Sequence, residues 1–454
     1  MLSECIEQPR YVCALGSQQT VLAIKKAIPI IHAGPGCSTK ISNSLSIGGD
    51  GCVGVSDIPA TNSTSNEVIF GGIKKLRETI DGALKVFDSD LFVILTGCTA
   101  EIVGDDVTRV AKEYREKGVP IVNAETGGFK ANNYAGHETV VRAIISQLLE
   151  EAKPRPQKGL VNVFSAVPFQ DAFWRGDLEN LKGLLEQIGL KVNILFGQTS
   201  GGIGEWRDIP NAEFNLVVSS WVGLDTAKQL QERFGTPYLH YPVLPVGALE
   251  SEKFLRAVGE FAGTDKNLVE EVITRNEAWY YDYFQSLATL YTHSRSPYPC
   301  RFYSVTDSST ALAVGSYLIY EMGFTPEEQF IVDNPPPEYR KTVEEQFRQL
   351  YADNPLRLFF ENDGGKVQQL LREKKHRAGE ALILGSNWER SVAAELRGYL
   401  LELSFPVRDN YILNKSYVGF RGGLTLLEDL FTNVFVQNPG AIRDRVVQID
   451  KYLN

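Results

Sequence analysis

One pattern recurs along this chain and constrains its fold more than any other: a short unbroken apolar run, a glycine-containing turn, then an amphipathic stretch. Ile28–Ile31 runs into the turn Gly34-Pro35-Gly36, and Leu91–Leu95 runs into Thr96-Gly97. Runs this short and apolar at every position suit strands covered on both faces, the environment of a parallel sheet. The segments Asn66–Phe87 and Asp105–Lys117 show helical spacing of apolar residues and would supply the covering layer, and Val119–Asn123 reads as a further strand. Alternation of this kind predicts an α/β fold. The segment Ser42–Ser65, rich in Gly, Ser, Asn and Thr, reads as a long loop.

The same pattern returns twice. Glu151–Lys158 is a charged, proline-containing linker, after which Gly159–Phe164, Lys191–Phe196 and Phe214–Ser219 read as strands. Asp177–Gly189 reads as an amphipathic helix closed by glycine, and Glu250–Tyr291 as a long helical region. Its aromatics Tyr280, Tyr281, Tyr283 and Phe284 are read as packing rather than as a cofactor site. Ser294–Pro299 marks the next boundary. Beyond it come strands at Arg301–Val305, Phe330–Asp333, Asn354–Phe359 and Ala381–Gly385, a helix at Ser309–Met322, and a loop feeding a helix at Tyr417–Val436. Three α/β domains with mostly parallel sheets are expected: 1–150 carrying the notable cysteines, 159–297, and 298–454 with a C-terminal helical segment. A chain of 454 residues exceeds one ordinary core, which agrees with that count.

A net charge of −10 argues against nucleic-acid binding, which wants a basic face. No apolar run is long enough to span a membrane, and the start MLSECIEQPRY has neither a basic nor an apolar signal region, so a cytoplasmic protein is expected. Six cysteines in so long a chain are no disulfide framework, and in a reducing compartment clustered ones point to metal or redox work.

Cys13, Cys37 and Cys98 are the candidate site. Cys37 and Cys98 follow predicted strand ends, where ligands of open α/β sheets bind, and the glycines beside them allow close approach of a bulky group. Free cysteine is also a common small core residue, so the residues alone leave structural and iron–sulfur readings both open. Clusters usually take four thiolates, so three would need a further ligand or a second subunit. Cys5, Cys52 and Cys300 lack this setting and are read as structural. His32 is read as a satisfied core histidine and His376 as solvated; with no HExxH, paired CxxC or HxH pattern, zinc is not expected. The glycine-rich loops Glu125–Asn133 and Thr199–Trp206 match no phosphate-binding pattern and are read as flexible or close-packed turns. Gly104-Asp105-Asp106 and Leu384–Ser391 are read as helix caps.

The order PRYVCALGS, HAGPGC, VIFGG followed closely by KKL, and TGCTAEIVGDDV resembles nitrogenase component 1 and its relatives. The likeness is most specific over residues 9–140 and extends more weakly through GQTSGGIGEWRDIPNAEFNLVV, LGSNWERS and YVGFRGG. The resemblance implies three Rossmann-like domains. It implies that Cys13, Cys37 and Cys98 hold half of an [8Fe-7S] P-cluster shared between α and β subunits, with [4Fe-4S] as the alternative. It further implies an α-like catalytic partner in an α2β2 heterotetramer, and an ATP-dependent iron protein as electron donor. The α-type subunits add a cysteine in the second domain and a histidine near the C-terminus; here residues 159–297 hold no cysteine and residues 377–454 no histidine. The resemblance is therefore to the β-like, electron-relaying subunit.

Two departures bear on the reaction. Only twelve residues precede Cys13, and Gly128 stands where the molybdenum β subunit offers a serine to its oxidised cluster. Both fit a nitrogenase-like reductase, with carbon–sulfur bond reduction as in methylthio-alkane reductase named first and the nitrogenase β subunit proper as an alternative. A non-catalytic scaffold for cofactor assembly shares the fold, but retention of all three cysteines favours the reductase. A dark protochlorophyllide-type reductase would show an aspartate in place of one cluster cysteine, which this chain does not. Ser63 and Thr96 lie near the cysteine segments and could tune a cluster, although a polar-loop role is the simpler reading.

Overall fold

The computed structural model describes residues 13–39, 58–287, 298–352 and 357–437. Cys5 and Cys52, residues 42–57 of the expected loop, residues 294–297 of the expected boundary and 354–356 of an expected strand lie outside them.

Among the described residues three sheets form, and every strand pair in them is parallel. The first has the order β1-β2-β3: β1 (Ala27–His32), β2 (Leu91–Thr96) and β3 (Ile121–Ala124). The second contains β4 (Gln157–Phe164), β5 (Lys191–Asn193), β6 (Ala212–Val217) and β7 (Tyr238–His240), in the order β5-β4-β6-β7. The third contains β8 (Arg301–Thr306), β9 (Thr325–Ile331), β10 (Leu358–Phe360), β11 (Ala381–Gly385) and β12 (Tyr399–Glu402), in the order β10-β9-β8-β11-β12. All of β2 and β11 is buried, as expected of strands with helices on both faces. The α/β class with Rossmann-like parallel sheets holds.

The largest apolar cluster runs from Leu15 to Val434 and draws on all three sheets. A second cluster covers the other face of the first sheet, with Ile30, Phe92 and Ile94 against Leu76, Ile80 and Val110. We propose the division at 1–150, 159–297 and 298–454 as the domain organisation, the shared cluster being the surface on which the three units pack.

Several local expectations are corrected. The single helix over Asn66–Phe87 is two, Ser65–Phe70 and Ile73–Val86, broken at Gly71, whose φ of +86° no other residue adopts comfortably. The region Glu250–Tyr291 likewise divides into Gly247–Ala262 and Lys266–Phe284, because Gly263 ends the first helix left-handed and Asp265 caps the second. Periodicity continues across both breaks, so it could not reveal them. β4 begins at Gln157, inside the expected linker, and β3 begins two residues later than expected. Part of the expected loop is also ordered: Ala60 pairs with Ile31 beside β1. β7 and β12 correspond to no expected strand.

Candidate metal-cluster site

The three cysteines gather at the carboxyl edge of the first sheet. Cys37 lies in a helical turn over residues 35–39 just beyond β1, its amide donating to the Gly34 carbonyl at 3.2 Å. Cys98 opens the helix Cys98–Val103 directly after β2. The intervening Gly97 is required by crowding, since a Cβ there would lie 2.5 Å from that of Ala33, beyond β1. The ends of β1 and β2 are thereby drawn together. Cys13 arrives from outside the sheet: it bridges Asn132 in antiparallel fashion, and the Ala14 amide donates to the Ala131 carbonyl at 3.0 Å. Gly136 permits that approach, because a Cβ would come within 2.5 Å of the Ala14 oxygen.

Gly128, in the loop after β3, completes the arrangement. Its amide donates to Cys98 Sγ at 3.1 Å, and a Cβ on it would meet the Cys13 Cβ at 2.9 Å, Cys98 Sγ at 3.2 Å and Cys13 Sγ at 3.3 Å. Two thiols thus flank one glycine backbone. Cys13 and Cys98 are exposed and Cys37 is half-buried. Among the described residues no three His, Cys, Asp or Glu side chains converge as they would on a single metal ion. The donor set fits instead a polynuclear group whose iron atoms are ligated separately.

Buried hydrogen bonds fix this edge from behind. His32 at the end of β1 is wholly buried, with Nε2 2.9 Å from Asp105 Oδ2 and Nδ1 3.2 Å from Thr61 Oγ1. Burial pushes the imidazole pKa down, against the opposing pull of Asp105, and Nε2–H donates to the Asp105 carboxylate. Asp105 also accepts from the Gly72 amide at 2.9 and 3.0 Å. A Cβ on Gly72 would lie 2.7 Å from both Asp105 Oδ2 and His32 Cε1. One buried latch therefore joins HAGPGC, VIFGG and TGCTAEIVGDDV, and it requires the second glycine of VIFGG.

On the other side of Cys98, Glu101 Oε1 accepts from Thr96 Oγ1 at 2.5 Å and from the Gly127 amide at 2.7 Å, while Lys130 Nζ lies 2.8 Å from Oε2. Thr126 donates its amide to Thr96 Oγ1 at 3.1 Å. Beside this network lies a cleft of about 520 Å³ lined by Glu101, Asp105, Asp106, Glu125, Phe129 and Lys130 among others. With four carboxylates to one lysine it is unsuited to phosphate, in keeping with the missing nucleotide motifs. Around the thiols the surface is apolar: Phe70 is 79% exposed, Ile102 76% and Phe129 61%, and the helices Ser65–Phe70 and Cys98–Val103 pack together.

The sequence profile of the family described as Nitrogenase component 1 type Oxidoreductase matches residues 13–435. This chain belongs to that family. The relatives include the nitrogenase molybdenum-iron protein beta chain of Rippkaea orientalis, 21% identical over 93% of this chain and 82% of its own length. The corresponding beta chain of Methanococcus maripaludis is 22% identical, covering 92% of each. The vanadium-iron protein beta chain of Trichormus variabilis is 23% identical over 91% of this chain and 90% of its own. In fold, the chain matches the solved structure of nitrogenase Cp1 at pH 6.5 with a TM-score of 0.74 at 18% identity, over 96% of this chain and 95% of that one. Membership makes this a β-like component 1 chain of an oxidoreductase family that binds iron–sulfur clusters. Among the described residues no helix is long and apolar enough to cross a membrane.

Most of the remaining candidates in this component 1 chain have structural partners. Cys300 is corrected: read as a structural cysteine, it is exposed at the start of the third sheet rather than packed in a core, its amide bonded to the Glu380 carbonyl. Asp106 caps its helix through the Arg109 amide at 3.0 Å, and Ser386 forms a capping box with Glu389. The loop at Gly202 packs against Lys25, a close-packed turn as expected. Tyr280 is buried, donating to Glu321 at 2.7 Å, and so belongs to the core. Ser63 bonds Thr61, and Thr96 is committed to Glu101, so both serve the loops. His376 is corrected: it is half-buried, with Nε2 2.5 Å from the Tyr303 hydroxyl, a contact that the surrounding run of charges concealed. Sequence reasoning passed over Glu101 and the functional side of Asp105. Their only signal was their place inside a quoted motif.

Proposed function

We propose that this chain is the electron-relaying, β-like subunit of a nitrogenase-like reductase. Cys13, Cys37 and Cys98 would hold its half of a P-cluster-type [8Fe-7S] centre, with [4Fe-4S] as the alternative, at the contact with an α-like catalytic subunit. When bound, such a centre stores and passes single electrons. Burial and hydrogen bonds to sulfur set its potential, and the Gly128 amide at Cys98 is a bond of that kind. The observation that carries this reading is the pair of exposed thiols flanking Gly128, with exposed Ile102 on the Cys98 helix and exposed Phe129 next to Gly128. The α-like subunit would cover that surface and complete the ligand set, giving an α2β2 assembly to which an ATP-dependent iron protein delivers electrons. A bridging cluster calls for a large permanent interface.

Gly128 also bears on the reaction. A side chain at this position meets Cys13, so the backbone geometry favours an amide contact to sulfur over a hydroxyl ligand. That supports a reductase other than the molybdenum enzyme, with carbon–sulfur bond reduction, as in methylthio-alkane reductase, the reaction we favour. Iron and acid-labile sulfide per αβ pair, measured on the anaerobically co-purified complex beside the Cys37→Ala variant, test the relay. Wild type should exceed one cluster's worth of iron and the variant should lose roughly one cluster. Equal iron in both would make Cys37 a core residue and sink the assignment.

A further inference from the structure

We infer that Glu101 is the positioning residue of the cysteine edge: it fixes the Gly127-Gly128 peptide so that the Gly128 amide donates to Cys98, and so sets the reduction potential of iron held there. The inference rests on the cluster reading above and adds to it a residue outside the cysteine trio.

Glu101 lies three residues after Cys98 on the same short helix, so thiol and carboxylate move as one body. Its side chain is only 10% exposed, and it draws donors from separate segments: Thr96 at the end of β2, Gly127 in the loop after β3, and Lys130 beyond it. Lys130, which also reaches Glu125 at 2.7 Å, supplies the opposite charge that a nearly buried carboxylate requires. Packing enforces the same register. A Cβ on Gly127 would lie 2.7 Å from Glu101 Oε2 and 2.9 Å from its carboxyl carbon, so loop and carboxylate meet with no room for a side chain. The next residue is Gly128, whose amide points at Cys98 Sγ. A hydrogen bond of this length does not survive a displacement of about 1 Å. An amide aimed at a thiolate stabilises the more negative, reduced state, so its loss lowers the potential.

The test uses the anaerobically purified αβ pair carrying Glu101→Ala, Glu101→Gln or Gly127→Ala. Two quantities are read: hydrogen exchange of the segment 124–130, and the cluster midpoint potential by EPR-monitored titration. Glu101→Ala should exchange about tenfold faster there, the factor one ordinary hydrogen bond supplies, with its midpoint moved to lower potential at wild-type iron content. Glu101→Gln keeps an oxygen for the Gly127 amide and should stay near wild type in both. Should Glu101→Ala fail to load iron, Gly127→Ala carries the test, since its new methyl displaces the carboxylate: a lowered potential supports the inference, and a wild-type value overturns it. A Glu101→Gln shift as large as that of Glu101→Ala would also overturn it, by making charge rather than geometry responsible. If the wild-type pair holds no cysteine-bound iron, the cluster reading falls and takes this inference with it. Iron present with unmoved potentials overturns this inference alone.

Discussion

Asp105 shows how much one side chain does at this edge. It accepts from His32 and from the Gly72 amide in a nearly dry setting, so Asp105→Ala leaves two buried donors without a partner. The expected loss is about 3 kcal/mol of stability, the scale for buried hydrogen bonds to a charged group. Chemical denaturation measures it, and a change under about 0.5 kcal/mol, the range of ordinary surface substitutions, would mean that the latch contributes nothing. Gly128 provides the second residue-scale prediction. In Gly128→Ala the added methyl presses on the Cys13 Cβ, so the Cys13 segment must move and iron per αβ pair should fall below wild type. Undiminished iron would show that Cys13 can yield freely.

At the scale of elements, the first and second sheets are joined by a helix on one capping a helix on the other. Glu138, buried within the helix Asn133–Leu148, accepts from the Gly223 amide at 2.5 Å and from the Thr226 amide and hydroxyl at 3.1 and 3.0 Å, at the start of the helix Leu224–Phe234. Burial pushes its pKa up to about 7, more than these donors pull it down. Asp177 is likewise pushed up to about 7 and Asp333 to about 6, both by burial first. A carboxyl whose folded pKa is raised contributes stability in full below its unfolded value, near 4, and loses it as pH climbs through the folded value. His137 runs the other way: burial pushes it down to about 3, so its contribution is full above about 6.5 and declines at lower pH. The thermal midpoint should therefore fall as pH rises from about 4.5 to 7, and Glu138→Gln should shallow that slope. A parallel slope in wild type and variant would show that Glu138 does not titrate in this window.

For the whole molecule, the feature that bears on assembly is the cysteine edge of the first sheet. Exposed thiols and apolar side chains on an otherwise acidic chain describe a protomer made for a partner. Replacing Ile102 and Phe129 by aspartate should leave this chain folded, because both side chains already lie in solvent, while reducing recovery of the α-like subunit on co-purification. Full recovery of the pair would place the contact elsewhere.

What could be read without a structure was whatever lies close along the chain. Apolar runs such as Leu91–Leu95 declare buried strands because each residue's environment repeats locally, and Asp106 declares a cap because its partner is three residues away. Cys37 and Cys98 stood out as candidates for the same reason, each following an apolar run and a glycine. The motif order carried the family, and with it the fold class. Tertiary structure alone decided what stands against what: Gly128 between Cys13 and Cys98, Glu101 under Gly127, and Asp105 holding Gly72 to His32. These contacts join segments that are distant in sequence and meet only because three parallel strands end on one edge. Hydrogen bonding and close packing act over a few ångströms in space and leave no periodic trace along the chain.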